Sequence, residues 1–258
     1  MITNAMKAKM KAGDPVVGIF VSIESPTTVE LLGLAGVDFV MVDSEHNPIA
    51  PNEAANMFRA AEAIGVPALA RIGENTQQVI AKFMDAGCLG PMTPMVNNAE
   101  EAKRVVDSVK YPPVGKRGLA SVRANRYGME GPSGDYVVRA NEETVVVVQI
   151  ETLEGIENAD EIIATDGVDV VFLGPTDLSV ALGVPGQSKH QLVLDAIEAL
   201  TTKVVDAGKV AGTIARTPED YAYWRDRGVG FFLTGANALL GSAATAYVQG
   251  VRAVEEGR

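Results

Sequence analysis

Eight short runs of apolar, largely β-branched residues recur along the chain, and segments with helical periodicity lie between them. The runs cover 16–22, 39–42, 68–72, 91–96, 144–150, 168–173, 210–214 and 230–234. Unbroken stretches such as Val145-Val146-Val147-Val148 and Val168-Asp169-Val170-Val171-Phe172-Leu173 suit strands covered on both faces, as in a parallel sheet beneath helices. The amphipathic segments are 27–35, 51–64, 76–86, 98–109, 155–164, 192–207 and 218–227. Ser25-Pro26 and Thr217-Pro218 each place an N-cap beside a proline suited to a first helical turn. Gly65, Gly87 and Gly208 stand where the preceding helices must stop. Eight strand–helix units in 258 residues predict one α/β domain over 1–258, a (β/α)8 TIM barrel, rather than an open doubly wound sheet. The first strand is followed by no G-x-G-x-x-G and no Walker A motif occurs, so no nucleotide cofactor is expected.

Charge and cysteine content narrow the partners. With 22 basic and 33 acidic side chains the formal charge is −11, which disfavours nucleic acid, whose phosphates need clustered Lys and Arg. Cys88 is the single cysteine and has no internal disulfide partner, so a reducing cytoplasmic setting is expected. Lys7, Lys9 and Lys11 precede the apolar run at 16–21, but that run is too short for a secretory signal. Residues 228–251 carry no charge, yet Gly, Thr, Asn, Ser and Gln interrupt them. They read as a buried strand and a small-residue helix, not a membrane span. Residues 111–141 break the regular spacing and read as a functional or subunit-contact loop.

Barrel enzymes carry their chemistry on the loops that leave the C-terminal strand ends. Those ends read Ser22-Ile23-Glu24, Asp43-Ser44-Glu45-His46, Arg71, Thr93-Pro94-Met95, Gln149-Ile150-Glu151-Thr152 and Gly174-Pro175-Thr176-Asp177, with Thr213 and Thr234-Gly235-Ala236 closing the set. Glu151 and Asp177 suit a hard divalent cation, or they cap the helices that follow. A zinc cage is excluded, since only Cys88, His46 and His190 are available. His46 is either a general base, for which an imidazole is well matched, or a structural hydrogen-bonding residue. His190 lies in a polar loop and reads as solvated. Arg71 pairs with a carboxylate, holds a substrate oxygen, or does both. The backbone N–H groups of Thr176 and Asp177 open a helix and suit a carboxylate. No lysine occupies a strand end, so a Schiff-base mechanism is not expected.

These residues, in this order, resemble the HpcH/HpaI-type metal-dependent pyruvate aldolases, the class II 4-hydroxy-2-oxo-acid aldolases. The resemblance covers nearly the whole chain. It rests on 39–46 ending in Asp43-Ser44-Glu45-His46, on 111–118 (Tyr111-Pro112-Pro113-Val114-Gly115-Lys116-Arg117-Gly118), on Gln149-Ile150-Glu151-Thr152 and on 174–179. It implies a divalent cation (Mg²⁺ or Mn²⁺, with Co²⁺ as a further fit) on Glu151 and Asp177, chelated by the carboxylate and 2-oxo oxygens of pyruvate. Arg71 would meet the 2-oxo oxygen, and His46, supported by Asp85, would move a proton through a bound water. Gln149 would be a polar contact near the site, Gly174, Pro175, Thr176 and Asp177 would line it, and Asp43 and Glu45 would stand behind it. The implied reaction is reversible aldol cleavage to pyruvate and an aldehyde, in catabolism of aromatic or sugar acids. The implied assembly is a homo-oligomer, a hexamer built as a trimer of dimers, with the last helix (236–254) exchanged between subunits. The same scaffold admits another pyruvate or oxaloacetate enolate reaction, namely decarboxylation or addition to a non-aldehyde acceptor. A non-catalytic binding or assembly barrel is the reading from a different class. One departure from the family pattern is Pro91, which lacks a ladder donor and is expected to be the first residue of its strand.

Overall fold

The apolar runs become eight parallel strands in a computed structural model that describes residues 3–257. They are β1 (Val16–Val21), β2 (Phe39–Asp43), β3 (Ala68–Arg71), β4 (Pro91–Thr93), β5 (Val147–Ile150), β6 (Val170–Leu173), β7 (Val210–Ile214) and β8 (Phe231–Gly235). Each pairs with the next, and β8 returns to β1 with Val16 opposite Phe231, so the sheet closes as the predicted (β/α)8 barrel. Pro91 opens β4 opposite Ala70, the position its missing N–H allows.

The helices are α1 (Ala5–Lys11), α2 (Pro26–Leu34), α3 (Pro51–Ala63), α4 (Gln77–Asp85), α5 (Ala99–Val109), α6 (Ser133–Glu143), α7 (Leu153–Glu157), α8 (Ala159–Ala164), α9 (Pro175–Ala181), α10 (Gln191–Asp206), α11 (Pro218–Arg225) and α12 (Ala236–Glu256). Ser25 and Thr217 cap α2 and α11 by accepting from Thr28 N and Asp220 N. Three details depart from the expected pattern. The segment read as one helix over 155–164 is two, because Asn158 ends α7 and begins α8. Residues 111–141 contain α6 and a 3-10 turn at Arg123–Gly128, and only Tyr136 and Ala140 of α6 are buried, too few to mark a periodicity. The lysine-bearing N-terminal segment is a helix, capped by Asn4, whose Met6 and Met10 are buried.

Alternate strand residues face the barrel axis. The inward set, including Phe20, Phe39, Met41, Leu69, Met92, Val147, Phe172 and Phe231, forms one cluster that Met6 and Met10 close from below. Gly18 is required here, since a Cβ would lie 2.3 Å from the Phe39 ring. The outward set, including Val40, Val42, Val148, Val171 and Leu173, packs beneath the helices in a second, larger cluster. The bottom of the barrel also holds charge. Lys7 Nζ donates to Thr144 O and lies 3.3 Å from Asp169 Oδ1, while Lys110 Nζ donates to Asn141 O, Thr144 O and Thr144 Oγ1. Burial, then the nearby Lys7 charge, pushes the Lys110 ammonium down to about 7.

Candidate active site

The inward parity that fills the barrel with apolar side chains changes chemistry one layer higher. Counting on by twos from Met41, Leu69, Val147 and Phe172 gives Asp43, Arg71, Gln149 with Glu151, and Gly174. Strand register sets Asp43 directly beside Arg71 across β2 and β3. Arg71 Nε and Nη2 donate to the two Asp43 oxygens at 2.9 and 2.8 Å, and Nε lies 3.2 Å from Glu45 Oε2. The guanidinium also stands over the Phe20 ring, 4.5 Å from its centroid. Arg71 is thus fixed in plane, and Nη1 remains for an oxygen in the cavity that Arg71 lines. Burial opposes ionisation of Asp43, but hydrogen bonds and charge from Arg71 outweigh it and hold this carboxyl below its ordinary range. Burial raises Glu45.

Glu151 is in the opposite situation. It is 5% exposed, accepts from Met95 N at 2.9 Å and from Gln149 Nε2 at 2.7 Å, and has no cationic partner among the described residues. Burial and then the Asp177 charge push its carboxyl up to about 7. Met95 aims its N–H at Glu151 from a left-handed backbone, φ 51°, a conformation that costs a non-glycine residue about 1 kcal/mol or more. Space for the two carboxylates depends on Gly174. A Cβ there would come within 2.9 Å of Glu151 Oε2, 3.4 Å of Gln149 Nε2 and 3.6 Å of Asp177 Oδ2. Gln149 Oε1 is buried there without a donor. Two carboxylates that converge on one open space, with no cationic partner among the described residues, fit a small hard dication that keeps water or ligand oxygens on its other positions. Among the described residues no group of three or more His, Cys, Asp and Glu side chains forms a closed cage.

His46 stands on the loop after β2, with Nε2 3.7 Å from Glu45 Oε2 and a side chain 60% exposed. It joins Arg71, Gln149, Gly174, Pro175, Thr176 and Asp177 around a cavity of about 300 Å³. A neighbouring cavity of about 480 Å³ shares His46 and Asp177 and adds Glu45, Met95 and Glu151. Asp85 is not brought to this mouth within the chain. It ends α4, on the side where helices return to the barrel bottom, and accepts from Arg117 Nη2 at 2.7 Å. The 111–141 segment lies with it, because it joins the end of α5 to the start of β5. Arg123 there donates to Ala86 O and pairs with Glu62. His190 has a role besides solvation: it caps α10, accepting from Leu192 N at 3.3 Å. Phe20, Ile214 and Arg216 belong to the mouth but are not among the expected residues, and Met95, expected there only as part of a strand end, lines it too. Phe20 and Ile214 follow from inward parity, and Arg216 from reading two residues past β7. No sequence signal marks the backbone of Met95.

A family profile described as HpcH/HpaI aldolase/citrate lyase matches residues 16–240. A hydroxypyruvate/pyruvate aldolase of Sagittula stellata is 38% identical over 214 residues, covering 83% of each chain. A 4-hydroxy-2-oxo-heptane-1,7-dioate aldolase of Shigella sonnei is 35% identical over 246 residues, 94% of this chain and 93% of that one. Among solved structures, an HpcH/HpaI aldolase/citrate lyase family protein from Burkholderia cenocepacia superposes with a TM-score of 0.90 at 30% identity, over 97% of this chain and 100% of that one. The citrate synthase SbnG superposes with a TM-score of 0.83 at 32% identity, over 95% and 98%.

Proposed function

The chain belongs to the HpcH/HpaI aldolase/citrate lyase family, and on that premise we propose that it is a carbon–carbon lyase, an aldolase that reversibly cleaves a 4-hydroxy-2-oxo acid to pyruvate and an aldehyde. The observation that carries this reading is the meeting of two carboxylates without a cationic partner among the described residues, Glu151 and Asp177, with a fixed guanidinium, Arg71, around one mouth. When bound on Glu151 and Asp177, a divalent cation (Mg²⁺, Mn²⁺ or Co²⁺) supplies positive charge where the enolate oxygen becomes negative. Arg71 offers Nη1 to the same 2-oxo oxygen, and its pairing with Asp43 and Glu45 holds that donor in place before the reaction begins. His46 takes the C4 hydroxyl proton through a water as the C3–C4 bond breaks, and its exposure leaves that water room. Gln149 orients Glu151 through its Nε2 hydrogen bond, and its unpaired Oε1 accepts from a ligand or water. The amide groups at the start of α9, on Thr176 and Asp177, receive the pyruvate carboxylate. Asp85, committed to Arg117, is no partner for His46 within one chain.

The test is pyruvate release measured with and without a chelator. Activity that vanishes on chelation and returns with Mn²⁺ supports the mechanism; chelator-insensitive activity sinks it. A second reading, enolate addition to a non-aldehyde acceptor, is favoured by the likeness to a citrate synthase. Product analysis with aldehyde and acyl acceptors separates the two.

Residues 1–258 are read as one barrel domain. Leu239, Leu240, Tyr247, Val248, Val251 and Val254 are exposed on α12, and Ala236 is its only buried residue. That uncovered helix supports a homo-oligomer in which α12 packs on a neighbouring copy, with a hexamer as the expected assembly. Among the described residues no helix is long and apolar enough to cross a membrane. The lone buried Cys88 suits a cytoplasmic location.

A further inference from the structure

The 111–141 segment, to which the proposed mechanism gives no task, closes a small cavity beside the barrel. The charged lining of that cavity is Glu62 of α3 with Arg117, Arg123 and Arg126, and Tyr136 stands among them. Its volume of about 20 Å³ holds one occupant the size of a water molecule. Glu62 is used twice: Arg123 pairs with Oε2, and Arg126 Nη2 lies 2.5 Å from Oε1. Arg123 Nη1 donates to Ala86 O at 3.0 Å across Gly87, where a Cβ would lie 2.0 Å from that nitrogen. Arg117 gives Nη2 to Asp85 and sets its guanidinium 4.9 Å from the centroid of the Tyr111 ring. Two groups are left over. Arg117 and Tyr136 are 4% and 5% exposed, yet Arg117 Nε and Tyr136 Oη close no hydrogen bond among the described residues. Tyr136 meets Tyr111 only edge-on, with 5.9 Å between ring centroids.

Buried polar groups without partners are rare, and two of them on one cavity point to a missing occupant. Its chemistry follows from the lining. Arg117 Nε can only donate, and a hydroxyl can turn its proton toward an acceptor. A water accepts from both, but it turns its own protons toward three guanidinium groups and a carboxylate whose two oxygens are already taken. An anion has no proton to place, and its charge answers the excess of cations around it. We propose that this cavity is a binding site for one monovalent anion of halide size, chloride in solution, held by Arg117 Nε and Tyr136 Oη in the field of Arg123 and Arg126. The bound ion ties α3 and the residues after α4 to the 111–141 segment, so it stabilises the fold and takes no part in the reaction. The site is independent of the aldolase reading.

Thermal unfolding of the full chain tests it, with chloride varied against methanesulfonate at constant ionic strength and magnesium held fixed as the methanesulfonate salt. Methanesulfonate is too large for the space. The wild-type Tm is expected to rise with chloride and reach a plateau. In Y136F the chloride concentration at half of that rise should increase about tenfold or more, as for loss of a hydrogen bond to a charged group. Without chloride the Y136F Tm should not fall, because the substitution removes a hydroxyl that has no partner. Y136F leaves the barrel mouth intact, so a chloride effect unchanged in this variant would belong to the mouth and overturn the assignment. A Tm independent of chloride in the wild type, or an equal drop of Y136F in both salts, would overturn it as well. Anomalous scattering from wild-type crystals soaked in bromide decides the case even where Y136F fails to fold. A bromide peak within hydrogen-bonding reach of Arg117 Nε and Tyr136 Oη is expected, and water there with no anomalous signal, or bromide at other places only, removes the site.

Discussion

The two ends of the barrel both bury charge, and they treat it in opposite ways. At the bottom, Lys7 and Lys110 meet Thr144, Asn141 and Asp169 until their donors have acceptors. At the mouth, Asp43 and Glu45 hold Arg71, but among the described residues Glu151 and Asp177 have no cationic partner and Gln149 Oε1 has no donor. Buried polar groups ordinarily find partners because desolvation without one costs about 1–3 kcal/mol each. A satisfied cluster therefore holds the scaffold together. A cluster left incomplete on one side of a cavity waits for a ligand to complete it.

Substitution at Glu151 should break this contrast most severely. E151Q keeps the shape and removes the charge, so pyruvate release should fall by about a thousand-fold or more through loss of the cation. Stability should move the other way. Because the folded pKa of Glu151, about 7, lies above its ordinary 4.5, its favourable contribution is complete below 4.5 and is lost as pH rises through about 7. At pH 8 the cation-free E151Q protein should therefore melt above the cation-free wild type, by on the order of 3 kcal/mol at most. A lower melting temperature would mean that Glu151 is a scaffold group after all.

Next in size is R71K, which keeps a charge but cannot reproduce the fork to Asp43 while donating to the substrate. A roughly hundred-fold fall in kcat, with Mn²⁺ affinity nearly unchanged, is expected. Full activity would contradict the role given to Arg71. Cation binding itself should weaken about tenfold for each pH unit below about 7, as Glu151 takes up its proton, and titration calorimetry over that range measures it. A pH-independent affinity would place the cation elsewhere.

At the bottom, K110A leaves Asn141 O and Thr144 Oγ1 without their donor and should cost about 1–3 kcal/mol by denaturant unfolding. Its KM for pyruvate should be unaltered. A large KM change would show that the two ends are coupled. The smallest effect is expected for M95G: glycine accepts the positive φ without strain and keeps the N–H that Glu151 accepts, so activity should stay within a few-fold and stability should rise by about 1 kcal/mol at most.

Residues whose role follows from period and position are readable without coordinates. The continuous Val145–Val148 run announces a two-sided strand, and Asp43, Arg71, Gln149, Glu151 and Asp177 stand at strand ends because the barrel topology puts those ends on one rim. Pro91 is readable for the same reason, since its missing donor permits few places in a ladder. α1 and α6 are not, because their few buried residues form no repeating stripe. The place of Asp85 follows from the same topology, against the role that the resemblance implied for it: each helix returns to the barrel bottom, so α4 carries its last residue, and the 111–141 segment that joins helix to strand, away from the mouth.

What this sequence determines by itself is therefore the barrel and the set of side chains its rim carries, since both follow from a local period repeated eight times. Only the tertiary structure decides which of those charges are already matched. Pairing depends on distances of about 3 Å between strands far apart in the chain, and both Arg71 with Asp43 and the meeting of Glu151 with Asp177 above Gly174 turn on such distances. The acidic balance of −11 is the same for a passive barrel and for this one. The difference lies in two carboxylates that folding brings together with no cationic partner among the described residues.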